Sequence, residues 1–396
     1  MMNMIKYNKL NKTAINYNDV LSFYRGHRVL VTGNTGFKGS WLTRILLLAG
    51  ARVIGYSMKP PTEPSLYDVI FTENISDLTQ YYADVRNLAV MKEVFQMSKP
   101  DIVIHLAAQP IVRDSYKDPV GTYSTNVMGT VNICECVRLS HIDAANDGLG
   151  SDGWSGVKSF LNVTTDKVYK NNEWEYGYRE DDLLDGFDPY SNSKSCSELV
   201  THSYKESFIG QGISAISTAR AGNVIGGGDL SSDRIIPDCV KAICNAREFD
   251  DITGRINVRN PYSIRPYQHV LEPLFMYLTI AMKQYENHSF AGYYNVGPDD
   301  CDCITTGELV SLFCEEWNTR RGSLPELKWC NKAEENAPYE ANFLKLDCSR
   351  IKSRFGWNPR WHIVDAIKNT VWFTNIWLSG GDVREEMDRE ILEYIG

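Results

Sequence analysis

From His27 onward, short runs of apolar residues alternate with longer segments in which apolar positions recur three and four residues apart. The short runs, at 28–32, 52–56, 101–106, 160–164 and 213–218, read as strands; the longer ones, at 38–49, 89–97, 119–138 and 189–208, carry helical spacing. Strand and helix in alternation predict βαβ units, so the expected fold class is α/β, a doubly wound parallel Rossmann-type sheet. After about Gly222 the alternation gives way to Gly-Gly-Gly, Asn-Pro and Gly-Pro punctuation between separate helices, which predicts a smaller C-terminal lobe closing over the sheet's carboxyl edge. The expected division is an extension over 1–26, a nucleotide-binding domain over 27–221 to which later segments return, and the lobe over 222–396. The Asn- and Tyr-rich extension should pack on the domain or fray. Residues 143–156, rich in Gly, Asp, Ser and Asn, should form a surface loop.

The first predicted strand runs into Gly33-x-x-Gly36-x-x-Gly39 and then a helix. Glycines at this spacing allow a tight turn, a close approach of backbone to a pyrophosphate and contact between helix and strand, while the helix N-terminus offers N–H groups to the phosphates. Thr35, Phe37 and Lys38 lie inside this loop and complete the candidate cofactor cradle. A glycine triplet alone also serves ordinary strand-to-helix turns. The second strand ends Tyr56-Ser57-Met58-Lys59, without the Asp or Glu usual for NAD, and Lys59 would suit a 2'-phosphate. Asp84 and Val85 are placed to edge an adenine, and Leu106, Ala107 and Ala108 are small enough at the fourth strand's end for backbone to line the cofactor, although plain close packing accounts for Ala107-Ala108 equally well.

Tyr190-Ser191-Asn192-Ser193-Lys194 puts a phenol and an ammonium one helical turn apart. Hydride transfer from a carbinol requires the hydroxyl to lose its proton to a nearby base, and Tyr190 can be that base once its pKa falls from about 10 by roughly 3 units. Lys194 supplies part of that change, an oxidised nicotinamide the rest. Upstream, Thr164-Thr165-Asp166-Lys167 sets polar groups at a strand end. Away from such a setting, Tyr-x-x-x-Lys on a helix is usually a packed ring and a solvated ammonium.

Composition narrows the alternatives. With 43% hydrophobic and 23% charged residues the chain is an ordinary globular one, and a net charge of -9 opposes nucleic-acid binding. No run approaches the roughly 18 apolar residues of a membrane span, and residues 1–12 lack a secretory h-region, so neither membrane nor export is expected and the cytoplasm is. The ten cysteines have no CxxC pair, and none of the seven histidines adjoins a Cys pair, so reduced thiols and no metal site are expected.

Thr-Gly-x-x-Gly-x-x-Gly, Tyr-x-x-x-Lys and the preceding hydroxyl residue together resemble the extended short-chain dehydrogenase/reductase family. Within it, Gly36-Phe37-Lys38-Gly39, Thr165-Asp166-Lys167, the 220–229 segment and Arg265-Pro-Tyr-Gln-His-Val270 resemble the branch that dehydrates CDP-glucose, with matches from about residue 23 to Trp377. The resemblance implies NAD as cofactor and CDP-glucose as small-molecule partner, with oxidation at C4, loss of water across C5 and C6, and reduction at C6. It implies that Thr165 bonds the C4 hydroxyl, Tyr190 takes its proton, Lys194 holds the nicotinamide ribose, and Asp166 and Lys167 share the elimination, their individual roles left open. Cations near Asp166 would keep it ionised and make it a poor acid. Asn223 and Arg265 are implied to contact the diphosphate, with Arg234 and Arg259 near it and His269 in support. Relatives suggest a homodimer or larger homo-oligomer. A nucleotide-sugar 4-epimerase or reductase would share the glycine loop, Tyr190 and Lys194 without needing the Asp166-Lys167 pair, and a non-catalytic dinucleotide module would need neither.

Overall fold

The computed structural model describes residues 14–73, 75–146, 153–209, 213–332 and 343–396. Strands β1 (Arg28–Thr32), β2 (Arg52–Ser57), β3 (Leu78–Tyr82), β4 (Ile102–His105), β5 (Ser159–Thr165), β6 (Ala215–Ala221) and β7 (Tyr293–Val296) form one sheet in the order β7-β6-β5-β4-β1-β2-β3. Every neighbouring pair is parallel. Strands β4, β5 and β6 are buried along their whole length, as a parallel sheet covered on both faces requires. The chain leaves β1 outward to β3 and returns to β4 beside β1, so the carboxyl ends of β1 and β4 flank the topological switch point where ligands bind in such sheets.

Covering helices are α1 (Tyr17–Tyr24), α2 (Phe37–Leu48), α3 (Leu88–Ser98), α4 (Gly129–Asn146), α5 (Pro189–Tyr204), α6 (Ile235–Glu248), α7 (Leu271–Glu286), α8 (Thr306–Arg320), α9 (Ile363–Leu378) and α10 (Val383–Ile395). Alternate strand residues feed two layers: Val29 and Val31 pack with α1, α2, α7 and α10, whereas Leu30 packs with α3 and α4. A third cluster joins Ile236 and Ile243 of α6, Phe313 and Trp317 of α8, and Ile367 and Val371 of α9 over the strand pair Thr253–Val258 and Glu326–Asn331.

The N-terminal extension packs where it is described. The Tyr17 ring lies tilted against Phe275, with centroids 4.7 Å apart, and the Tyr24 hydroxyl donates to the Leu278 carbonyl at 2.7 Å; residues 1–13 lie outside the described residues. The helix expected over 119–138 is instead a short helix Pro119–Tyr123, a π-helical turn Ser124–Met128, and α4, which runs on to Asn146. Residues 143–146 are therefore helical rather than loop, because Val137, Ser140 and Ala144 continue one buried stripe at helical spacing; 147–152 lie outside the described residues. Strand β6 begins two residues later than the 213–218 run. No helix among the described residues is long and apolar enough to cross a membrane.

Candidate active site

The glycine loop is fixed by contact as much as by flexibility. Gly33 takes a φ of 72°, and a Cβ there would fall 2.7 Å from the Ala107 nitrogen; a Cβ at Gly39 would fall 2.2 Å from the Gly33 carbonyl. Loop, α2 and the chain after β4 thus meet at van der Waals limits. Gly36 is the N-cap of α2 and gives no side-chain cap, so the first turn, carrying Phe37, Lys38 and Gly39, keeps its N–H groups for an anion.

Around this loop the sequence candidates divide. The Thr35 hydroxyl donates to the Met58 carbonyl at 2.9 Å and shares a 2.7 Å bond with Ser57, stitching the loop to the end of β2. Leu106 and Ala107 donate backbone N–H to the Thr32 hydroxyl, both at 3.2 Å, and Ala108 follows half-buried. Hydrogen bonds from Arg86 hold the Asp84 carboxylate below its usual range. Val85 is buried, with its carbonyl taken by Asn132 at 2.9 Å.

The catalytic candidates converge. Asp188 caps α5 through the Ser191 N–H at 3.0 Å, and Pro189 occupies the first turn, which sets Tyr190 in that turn and Lys194 one turn on. Thr165 ends β5, its hydroxyl donating to Asp166 Oδ1 at 2.9 Å. Asp166 and the half-buried Lys167 lie in the 3-10 turn Asp166–Val168. Burial pushes the Tyr190 phenol up to about 12, opposed first by a hydrogen bond with Thr165 and then by the charge of Arg234. By spacing, Lys194 is the expected source of an opposing charge. Its ammonium is instead turned onto the β5 backbone, donating to the Val163 carbonyl at 3.0 Å, and burial lowers its pKa to about 8.

Asp166 also departs from expectation. It is 1% exposed, its Oδ2 accepts no hydrogen bond among the described residues, and burial raises its pKa despite the nearby charges of Lys167, Arg265 and Lys38. Desolvation outweighs the cations, so this carboxyl is suited to carry a proton rather than being locked as an anion. Lys38 is pushed down to about 8 by burial and by Arg234, with Asp166, Lys194 and Asp229 also acting on it. One buried carboxyl therefore sits amid several cations at the carboxyl edge of the sheet.

Of the candidates for the diphosphate, Arg265 is 3% exposed with its charge felt by Asp166. Arg234, at the start of α6, pairs with buried Asp229 at 3.1 Å while its charge reaches Tyr190 and Lys38. Arg259 faces Asp233 at 3.2 Å on a more exposed rim. Asn223 is half-buried and its carbonyl accepts from the Gln268 N–H at 3.0 Å. His269 is not in this group. It is wholly buried between Trp41 and Trp361, faces Glu390 of α10 at 3.4 Å, and is lowered to about 3 by burial, since the two-residue strand carrying it turns inward under α10.

The profile of the family described as GDP-mannose 4,6 dehydratase matches residues 30–370. The chain belongs to this family. Among curated relatives, the CDP-glucose 4,6-dehydratase of Salmonella typhimurium is 40% identical over 382 residues, covering 94% of this chain and 98% of that protein. A dTDP-glucose 4,6-dehydratase of Haemophilus influenzae is 24% identical over 87% of this chain and 97% of its own. Two solved structures share the fold: a dTDP-glucose 4,6-dehydratase from Bacillus anthracis in complex with NAD, at 18% identity and a TM-score of 0.66 over 88% of this chain and 96% of that one, and an epimerase from Methanothermobacter thermautotrophicus, at 20% identity and a TM-score of 0.71 over 93% and 97%. As a member of the GDP-mannose 4,6-dehydratase family the chain is an enzyme, a hydro-lyase with the extended short-chain dehydrogenase/reductase fold.

Sequence reasoning missed three residues that hold this dehydratase site in shape. Asp229 fixes Arg234. Asn126, in the π-helical turn, donates to the Gln109 carbonyl at 3.1 Å and to the Ser193 hydroxyl at 2.9 Å. Glu198 lies one turn beyond Lys194 and accepts from Thr164, Thr218 and Arg220. Its spacing of four from Lys194 was the available signal.

Proposed function

We propose that this enzyme converts CDP-glucose to CDP-4-keto-6-deoxyglucose with NAD as the resident cofactor. The uncapped α2 N-terminus and the contact-limited Gly33 and Gly39 fit a pyrophosphate, and Gly33, Gly36, Phe37, Lys38 and Gly39 would hold it. NAD, when bound, supplies the acceptor for the C4 hydride and the donor for C6. Tyr190 takes the proton of the C4 hydroxyl while Thr165 orients that hydroxyl. The phenol's high pKa must fall for this step, and Arg234 is the cation that now acts on it, with Lys194 free to join by releasing Val163. Lys167 passes its proton to Asp166 and, so neutralised, takes the proton from C5, while Asp166 gives that proton to the departing C6 hydroxyl and the C4 carbonyl stabilises the resulting charge.

The observation that carries this reading is Asp166: a buried carboxyl raised in pKa, with an unused oxygen, beside the Tyr190 and Thr165 needed for oxidation. An epimerase has no use for such an acid. Arg265 and Arg234 are proposed to meet the diphosphate, and the choice of cytidine rests on the Salmonella relative.

The test is incubation of purified protein with CDP-, dTDP-, UDP- and GDP-glucose, scored by the alkali-induced absorbance of 4-keto-6-deoxy sugars. CDP-glucose is expected to give the highest kcat/KM. Equal or better turnover of another nucleotide, or an epimerised product, refutes the reading. Tyr190→Phe should abolish turnover while leaving NAD affinity within about threefold, since a single general base contributes about 10²–10⁴-fold.

A further inference from the structure

We propose that Cys301, Asp302 and His362 form a binding site for a borderline-soft divalent cation such as zinc, separate from the active site. The sequence places no histidine beside either Cys-x-Cys pair. The fold does, because α9 starts against the loop that follows β7. There Cys301 Sγ lies 4.0 Å from His362 Nδ1, His362 Nδ1 lies 2.8 Å from Asp302 Oδ2, and the three donor atoms all fall within 4.8 Å of one another.

Thiolate, imidazole and carboxylate are the donor types that zinc prefers, and three protein ligands with an open fourth position is a known zinc arrangement. Tetrahedral zinc, with bonds of about 2.3 Å to sulfur and about 2.0 Å to nitrogen or oxygen, keeps ligand atoms roughly 3.3 to 3.6 Å apart. His362 and Asp302 must therefore separate by roughly half an ångström, and Cys301 must close by about that much on His362 and by up to roughly 1.3 Å on Asp302. Asp302 is already oriented: it is 2% exposed and its other oxygen accepts the Ile363 N–H at 2.9 Å, the outer bond that holds a metal-binding carboxylate in place. Cys301 and His362 are exposed, so a cation reaches them directly from solvent. Binding exchanges the Cys301 thiol proton for the cation, so affinity falls as pH falls. The ion would tie the loop after β7 to the N-terminus of α9.

Full-length protein freed of metal with a chelator is titrated with Cd²⁺, whose bond to a thiolate gives an ultraviolet charge-transfer band, and with Zn²⁺ in competition. One equivalent is expected to bind, with the band lost in Cys301→Ser and kept in Cys330→Ser, which removes another exposed thiol. His362→Ala should weaken binding by more than about 100-fold, beyond the roughly 10–100-fold that loss of an outer partner causes. Zn²⁺ should also raise the Tm of the wild type and leave that of Cys301→Ser unchanged. A band that survives Cys301→Ser, an affinity unaffected by His362→Ala, or no Tm response overturns the site.

Discussion

Replacing Glu198 with Gln tests whether the buried charge behind Lys194 holds the catalytic helix. Glu198 and Arg220 are 1% and 2% exposed. The carboxylate accepts Arg220 Nε and Nη2, each at 3.0 Å, the Thr218 hydroxyl at 2.7 Å and the Thr164 hydroxyl. Gln keeps the shape but removes the charge and turns an N–H₂ toward the guanidinium. Breaking a buried pair from one side costs about 3–5 kcal/mol, because the surviving ion stays buried without its counterion. Two guanidinium bonds of about 1.5–3 kcal/mol each supply most of that. The remaining hydrogen-bond partners of Arg220, the Tyr169 hydroxyl at 2.7 Å and the Glu180 carbonyl at 2.9 Å, are neutral, and the Glu180 carboxylate acts on the guanidinium only through its charge, without a hydrogen bond.

The opposite truncation, Arg220→Met, should cost less, since Glu198 keeps two hydroxyl donors and the field of Lys194. The double variant should lose less than the two singles added together, a coupling of about 0.5–3 kcal/mol in a urea-denaturation cycle. Glu198 is also the charge that raises the Lys194 pKa against burial, so its loss moves Lys194 further below about 8. The alkaline limb of kcat/KM should then shift to lower pH in Glu198→Gln. A single variant within about 1 kcal/mol of wild type, where the ordinary buried-pair cost is about 3–5, or strictly additive singles, refutes the argument.

Lys194→Met should end turnover and stabilise the fold. The drop from 10.5 to about 8 at a residue 4% exposed is worth roughly 3 kcal/mol, a penalty fully present below pH 8 that fades as pH rises toward 10.5, so urea midpoints of variant and wild type should converge over that window. Gly39→Ala should weaken NAD binding in a fluorescence titration and cost about 1–3 kcal/mol, because its Cβ would press on the backbone of Gly33 and Asn34. Asp166→Asn should lower product formation by about 10²–10⁴-fold while reversible C4 oxidation persists. The wild-type rate should fall with rising pH above the ordinary carboxylate range, as Asp166 loses its proton, and the variant should lack that limb.

Much of this enzyme was legible along the chain because its information is local. Parallel strands buried on both faces must be continuous apolar runs, and so β1, β2, β4 and β5 stood out, as did the glycines that let β1 turn into α2. Tyr190 and Lys194 share a helix face by spacing alone. The tertiary structure decided what depends on desolvation and on distant segments meeting. The Asp166 carboxyl is raised in pKa because burial exceeds the pull of its cations, a balance that no spacing reveals. Lys194 turns to Val163, and Arg234 is a cation that lowers the Tyr190 pKa, since the start of α6 is delivered there by the lobe. His269 reads like an active-site residue in its motif but is carried into the core beneath α10. Cys301 and His362, sixty-one residues apart, become neighbours only when α9 docks. Periodicity encodes which face is buried; the energy of a charge depends on everything that surrounds it, and only the folded chain brings those surroundings together.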